Sequence, residues 1–94
     1  MLQEGRNAYA RSAWAEAYES FAQADELEPL AAEDLGLLAT SAFMLGRDEE
    51  SMRILERACQ RYSEAGERRP AARCAFWIGI QLMLNGIKTF FELG

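Results

Sequence analysis

Few side chains in this chain could do chemistry, and their spacing fits other work. No histidine occurs among the 94 residues, which removes the commonest general base and the commonest metal ligand together. Asp48-Glu49-Glu50 and Glu33-Asp34 could serve acid–base or metal chemistry. Each cluster stands where a helix should begin, and carboxylates there answer the partial positive charge of the helix end. Cys59 and Cys74 fall on separate expected helices with no C-x-x-C or metal-ligand spacing. An antiparallel pair of helices meeting near Gly66 would bring the two close, and we read them as reduced core thiols. The seven glycines form no phosphate-cradling cluster. Trp14 and Trp77 could stack on a ligand, but they recur with other apolar residues at helical spacing, the mark of packing. We therefore expect no enzyme, no metal and no cofactor.

Charge narrows the partners. Ten basic against fifteen acidic residues give a formal net charge of −5, which repels phosphate backbones and acidic membranes, so no nucleic-acid partner is expected for this chain alone. Arg68-Arg69 reads as a solvated turn. Met1 to Arg6 carries charges with no apolar core behind them, unlike a signal peptide. The apolar run Cys74 to Leu84 is shorter than the roughly 20 residues that cross a bilayer. A cytoplasmic protein without membrane contact is the expectation. Its length suits one domain, 1–94, which buries only roughly 60–65% of its unfolded surface.

The elements that must position any site are helices, because no segment alternates with a period of two. Leu2 to Ala10 is rich in helix formers. Ser12 is placed to cap a helix starting at Ala13-Trp14. There Trp14, Ala17, Phe21 and Ala24 form one apolar stripe, while Glu16, Glu19, Gln23 and Asp25 face away. Pro29 ends that helix. A third helix carries Leu35, Leu38, Ala39, Ala42 and Leu45 to Gly46. Gly46 suits a left-handed stop, and Asp48 is placed to cap a fourth helix bearing Ser51, Leu55, Ala58 and Tyr62, with Met52, Ile54 and Cys59 beside them. Pro70 opens a fifth helix that is apolar all round, and Asn85-Gly86 should end it before a short C-terminal helix.

A period links these helices. Shifting by 34 residues takes Ala17, Phe21 and Ala24 onto Ser51, Leu55 and Ala58, and Ser12 onto Gly46. Shifting Leu38-Ala39-x-x-Ala42 and Gly46 by 40 gives Ile78-Gly79-x-x-Leu82 and Gly86. The six extra residues fall in the Ser63 to Arg69 connection. Ala17, Phe21, Ala24 and Pro29 stand where the second helix of a tetratricopeptide repeat has its signature, and Leu35-x-x-Leu38-Ala39-x-x-Ala42 is similar to a degraded first-helix signature. The chain therefore resembles the tetratricopeptide repeat family. What the resemblance implies is an all-α, tetratricopeptide-like α-solenoid of about two and a half helix-turn-helix repeats: five helices plus a short C-terminal helix, with repeats at about 1–29, 30–66 and 67–94, the last incomplete. A narrower resemblance is to the helical-repeat regions of bacterial LuxR-type regulators. It rests on Trp14 to Glu19, Glu33 to Leu35, Leu45 to Glu50 and Ala72 to Trp77. That likeness implies a ligand-sensing or regulatory fragment lacking the DNA-binding domain.

In tetratricopeptide arrays the first helices line a concave groove for peptides. The resemblance assigns Arg6 and Tyr9 to that groove, with Glu33, Thr40, Phe43 and Met44, and with Arg73, Phe76, Ile80 and Met83. The last repeat brings a different expectation. A solenoid normally ends in a polar face, whereas this one ends in Trp77, Ile78, Leu82 and Leu84 plus the tail residues Phe90, Phe91 and Leu93. Several kcal/mol of apolar surface, at about 25 cal/mol per Å², would stay wet. We expect those seven residues to form a homodimer interface, and the function to be protein–protein interaction.

Overall fold

A computed structural model describes residues 1–93, with side chains through Glu92; the expected interface position Leu93 has its side chain outside the described residues. The chain is all-helical. Helices α1 (Leu2–Ala10), α2 (Trp14–Leu27), α3 (Ala32–Met44), α4 (Asp48–Glu64) and α5 (Arg68–Leu93) follow one another, and no strand occurs among the described residues. Each helix packs against the next, and α1 also reaches α3.

Three of the four connections share one design. Ser12, Gly46 and Gly66 take the left-handed conformation at φ 59°, 80° and 76°. In each turn two N–H groups return to the last carbonyls of the preceding helix. Ser12 donates to Tyr9 and Ala13 to Ala8; Gly46 donates to Phe43 and Arg47 to Ala42; Gly66 donates to Ser63 and Glu67 to Tyr62, all between 2.8 and 3.1 Å. These bonds satisfy carbonyls that a helix end leaves open. Ser12 therefore closes α1 instead of capping α2, whose N-cap is Ala13 with no side-chain bond. Asp48 is likewise not a cap. It is the first helical residue of α4, behind Arg47. The connection between α2 and α3 differs, because Pro29 pushes Glu28 into extended backbone (φ −156°, ψ 128°).

Phe21 is fully buried, in one apolar cluster with Ala8, Ala17, Leu35, Ala39 and Ala58. Gly5 lets α1 approach it: a Cβ at that position would stand 3.2 Å from the Phe21 ring. Ser51 occupies the place that the 34-residue shift gives to Ala17, and its hydroxyl donates to the Ala39 carbonyl at 2.7 Å, so the buried oxygen has a partner. Trp14 is half-buried, edge-on to Tyr9 with ring centroids 5.3 Å apart.

Two bidentate ion pairs tie helices that are distant in sequence. Arg6 on α1 donates twice to Asp34 on α3, at 3.1 and 2.9 Å. Arg57 on α4 donates twice to Asp25 on α2, at 2.8 and 2.9 Å. Asp25 also accepts from the Leu30 N–H at 3.1 Å. It therefore does not face away with Glu16, Glu19 and Gln23. Its carboxyl lies below the usual carboxylate range, chiefly because Arg57 donates to it.

α5 departs most from expectation. It runs unbroken through Asn85-Gly86, so no separate C-terminal helix exists among the described residues. A glycine inside a helix costs only about 1 kcal/mol relative to alanine, and nothing in the chain awaits a folded-back tail. With 26 residues α5 is nine longer than the 17-residue α4 it packs against. Among the described side chains its last buried or half-buried residue is Asn85, and Gly86 to Glu92 are all exposed. This overhang stretches the molecule to 43 Å, with a radius of gyration of 13.8 Å, against about 12 Å for a compact chain of this length.

Candidate functional site

α5 has three faces, set by 100° per residue. Pro70, Ala71, Cys74, Ile78, Gln81 and Asn85 form the stripe that is buried or half-buried. Ile78 therefore belongs to the core and is not free for an interface. On a second face Trp77, Ile80, Gln81 and Leu84 turn towards α3. The third face, with Phe76 and Met83 at 67% and 59% exposure, looks into solvent and continues into Ile87 and Phe90, with Phe91 exposed at its edge. Leu82 is exposed too, on the flank between the first and third faces.

The second face closes a hollow of about 380 Å³ with α1, α3 and α4, lined by Tyr9, Thr40, Phe43, Met44, Leu55, Trp77, Ile80, Gln81 and Leu84. Five residues assigned to a groove from the sequence (Tyr9, Thr40, Phe43, Met44 and Ile80) meet there. The others do not. Arg6 is held by Asp34 and lines a separate hollow with Met1, Leu2 and Leu27. Glu33 and Arg73 flank a shallow depression with Tyr62, Glu67 and Trp77. Phe76 and Met83 lie on the outer face of α5. Leu55, Gln81, Trp77 and Leu84 were not among the expected groove residues. An all-round apolar helix carries no polar stripe to fix its register, so only the buried position of Cys74 and Gln81 reveals which way it turns.

The chemistry of the hollow is spare. Its volume lies in the range of small-ligand sites. The Thr40 hydroxyl is occupied, donating to the Gly36 carbonyl at 3.1 Å. Gln81 is only 6% exposed, and its Oε1 is buried with no hydrogen-bond partner among the described residues. An unmade bond on a buried acceptor costs about 1–3 kcal/mol. The Cys74 thiol is not an activated nucleophile. The Cys59 thiol lies 3.3 Å from the Ala71 carbonyl, and burial, then Cys59, pushes the Cys74 thiol up. Of the carboxylates at the two helix starts, Asp34 is held by Arg6, Glu49 pairs with Arg53, and Glu50 accepts from the Tyr18 hydroxyl, whose ring carries Arg47 at 4.6 Å. Among the described residues no cluster of cysteines and carboxylates could hold a metal ion.

The apolar run Cys74 to Leu84 proves to be the middle of a longer element. α5 over Arg68–Glu92 is long and apolar enough, by length and composition, to cross a membrane. No protein family, no curated protein and no solved structure matches the chain.

Proposed function

We propose that this chain is a non-enzymatic interaction module of tetratricopeptide-like helix pairs, cytoplasmic, that self-associates through α5. In this reading the hollow between α1, α3 and α5 receives an apolar side chain of a peptide segment. The observation that carries it is the outer side of α5, where Phe76, Met83, Ile87 and Phe90 stand 47–73% exposed along one face, with Leu82 and Phe91 exposed on its two flanks. Monomers rarely keep so large a contiguous apolar patch in water. The repeat itself is supported by Ser12 and Gly46, 34 residues apart in one left-handed turn with the same pair of hydrogen bonds. Light scattering after size exclusion tests the reading: a mass of about 21 kDa, twice the 10.6 kDa chain, is expected at micromolar concentration. A 10.6 kDa species at tens of micromolar overturns it.

The orphaned Gln81 oxygen beside the hollow favours a second reading, a ligand-sensing fragment of the LuxR-regulator kind. A small apolar molecule bearing an N–H or O–H donor would then occupy the hollow. Thermal-shift screening of metabolites decides it, with a saturable rise that Gln81→Leu abolishes as the expected sign.

A further inference from the structure

The exposed apolar residues of α5 are spaced for one kind of partner. Phe76, Ile80, Met83, Ile87 and Phe90 follow one another at steps of four, three, four and three residues. This 3.5-residue repeat is that of a helix pairing with another helix along a left-handed seam. At 100° per residue the seam lies roughly 180° from the buried stripe Cys74, Ile78, Gln81 and Asn85. The protomer's own α4 therefore leaves it uncovered: four of its five residues are exposed by 47–73%, and half-buried Ile80 stands where the seam meets the edge of the hollow. Gly79 and Gly86 flank it with open space where a Cβ would stand, so a second helix can come close.

We propose that the seam is an antiparallel contact between α5 and α5 of a second copy, with the two-fold axis between Gln81 and Leu82. This rests on the self-association reading and adds its face and orientation. The register stacks Phe76 on the partner's Ile87, Ile80 on the partner's Met83, and Arg73 on the partner's Phe90, where a guanidinium over an aromatic ring is favourable.

Two features decide for antiparallel. Arg68, Arg69 and Arg73 crowd the start of α5, which already carries the positive end of the helix dipole. A parallel pair would bring six arginines together, whereas the antiparallel pair sets each trio at the partner's negative helix end, near Glu92. The second feature is the overhang. Beyond Asn85 α5 has no α4 beside it. In a parallel pair the two overhangs would shelter only each other, while in the antiparallel pair each lies along the half of the partner's α5 that its own fold supports. Phe76, Met83, Ile87 and Phe90 bring roughly 450 Å² of exposed surface to the seam, and Phe91 at its edge extends it towards the roughly 800 Å² that each partner gives to a stable interface.

Disulfide trapping tests the orientation. Phe76→Cys and Ile87→Cys are made separately in a Cys59→Ser, Cys74→Ala background, checked for helicity, mixed and oxidised mildly. Mass spectrometry separates the products. The 76–87 heterodisulfide should dominate, because like positions would lie eleven residues apart along the axis, about 16 Å. Homodisulfides at 76 or 87 in its place would mean a parallel pair and overturn the proposal. A dimeric chain yielding no disulfide would overturn the seam and leave self-association standing, whereas a monomeric wild type would remove both.

Met83→Glu in the otherwise native chain gives an independent check. Its side chain does not enter the protomer core, so helicity should persist while the dimer dissociation constant rises about 100-fold or more. Unchanged association overturns the seam. Flotation with phosphatidylcholine vesicles completes the test. The dimer should stay with the soluble fraction, and flotation of the wild type that Met83→Glu abolishes would assign the face to a bilayer and overturn the pairing.

Discussion

At the scale of single residues, two positions carry more than their types suggest. Ser12 holds φ 59°, where the other two turns of the same shape place glycine. A side chain in that region is strained, so Ser12→Gly should stabilise the fold by about 0.5–1 kcal/mol, seen as a melting temperature several degrees higher. The match of Ser12 to Gly46 was visible in the sequence. Its cause was not, since a serine before a helix reads first as a cap and only the backbone angle distinguishes the two roles. Asp25 makes the complementary case. Its charge suggested an outward position, yet Arg57, 32 residues away, draws it into a clamp. Its pKa is depressed on folding. The stability it contributes is therefore present above the unfolded value near 4 and is lost as pH falls through the folded value. Asp25→Asn should cost about 1 kcal/mol at pH 7, discounted because Arg57 is partly exposed. The deficit should shrink in melts taken progressively below about pH 4, and a difference that does not change with pH would mean that the charge of Asp25 is not what it contributes.

At the scale of elements, glycines report how closely helices approach. Gly5 on α1 meets the Phe21 ring at 3.2 Å once a Cβ is added, whereas Gly36 on α3 meets nothing within 4 Å. Gly5→Ala should lower the melting temperature by pushing α1 off α2. Gly36→Ala should raise it, by up to about 1 kcal/mol of helix propensity. Equal shifts would mean that α1 is not seated on Phe21. The helices were legible because amphipathic stripes such as Ala17, Phe21 and Ala24 on α2, or Ser51, Leu55 and Ala58 on α4, announce both period and inner face; all six are buried. α5 lacks that contrast. Its existence was plain from composition, but its register was not, and neither was its continuity through Asn85-Gly86. That pair is a helix stop only where the chain has something to turn back for. The hollow was half legible for the same reason: α1 and α3 gave Tyr9, Thr40, Phe43 and Met44, while on α5 the sequence supplied Ile80 and missed Trp77, Gln81 and Leu84.

At the scale of the whole molecule, the decisive feature is a helix that outlasts its support. Gly86 to Glu92 bury nothing against the rest of the described fold, so deleting 86–94 should cost the monomer little beyond helix fraying. If α5 pairs with its copy, the same deletion strips Ile87 and Phe90 from the seam and leaves Phe76 without a counterpart. The two effects separate in thermal melts taken over a range of concentrations. For a chain that folds and dimerises together, each tenfold rise in concentration above the dissociation constant favours the folded dimer by about 1.4 kcal/mol, and the midpoint climbs with it. The full chain should show that climb, and the 1–85 chain should melt cooperatively at one temperature at every concentration. A truncated chain that still climbs places the contact elsewhere on the surface. One that no longer melts cooperatively shows that the overhang supports its own protomer, and the apolar face of α5 would then need a partner inside the same chain.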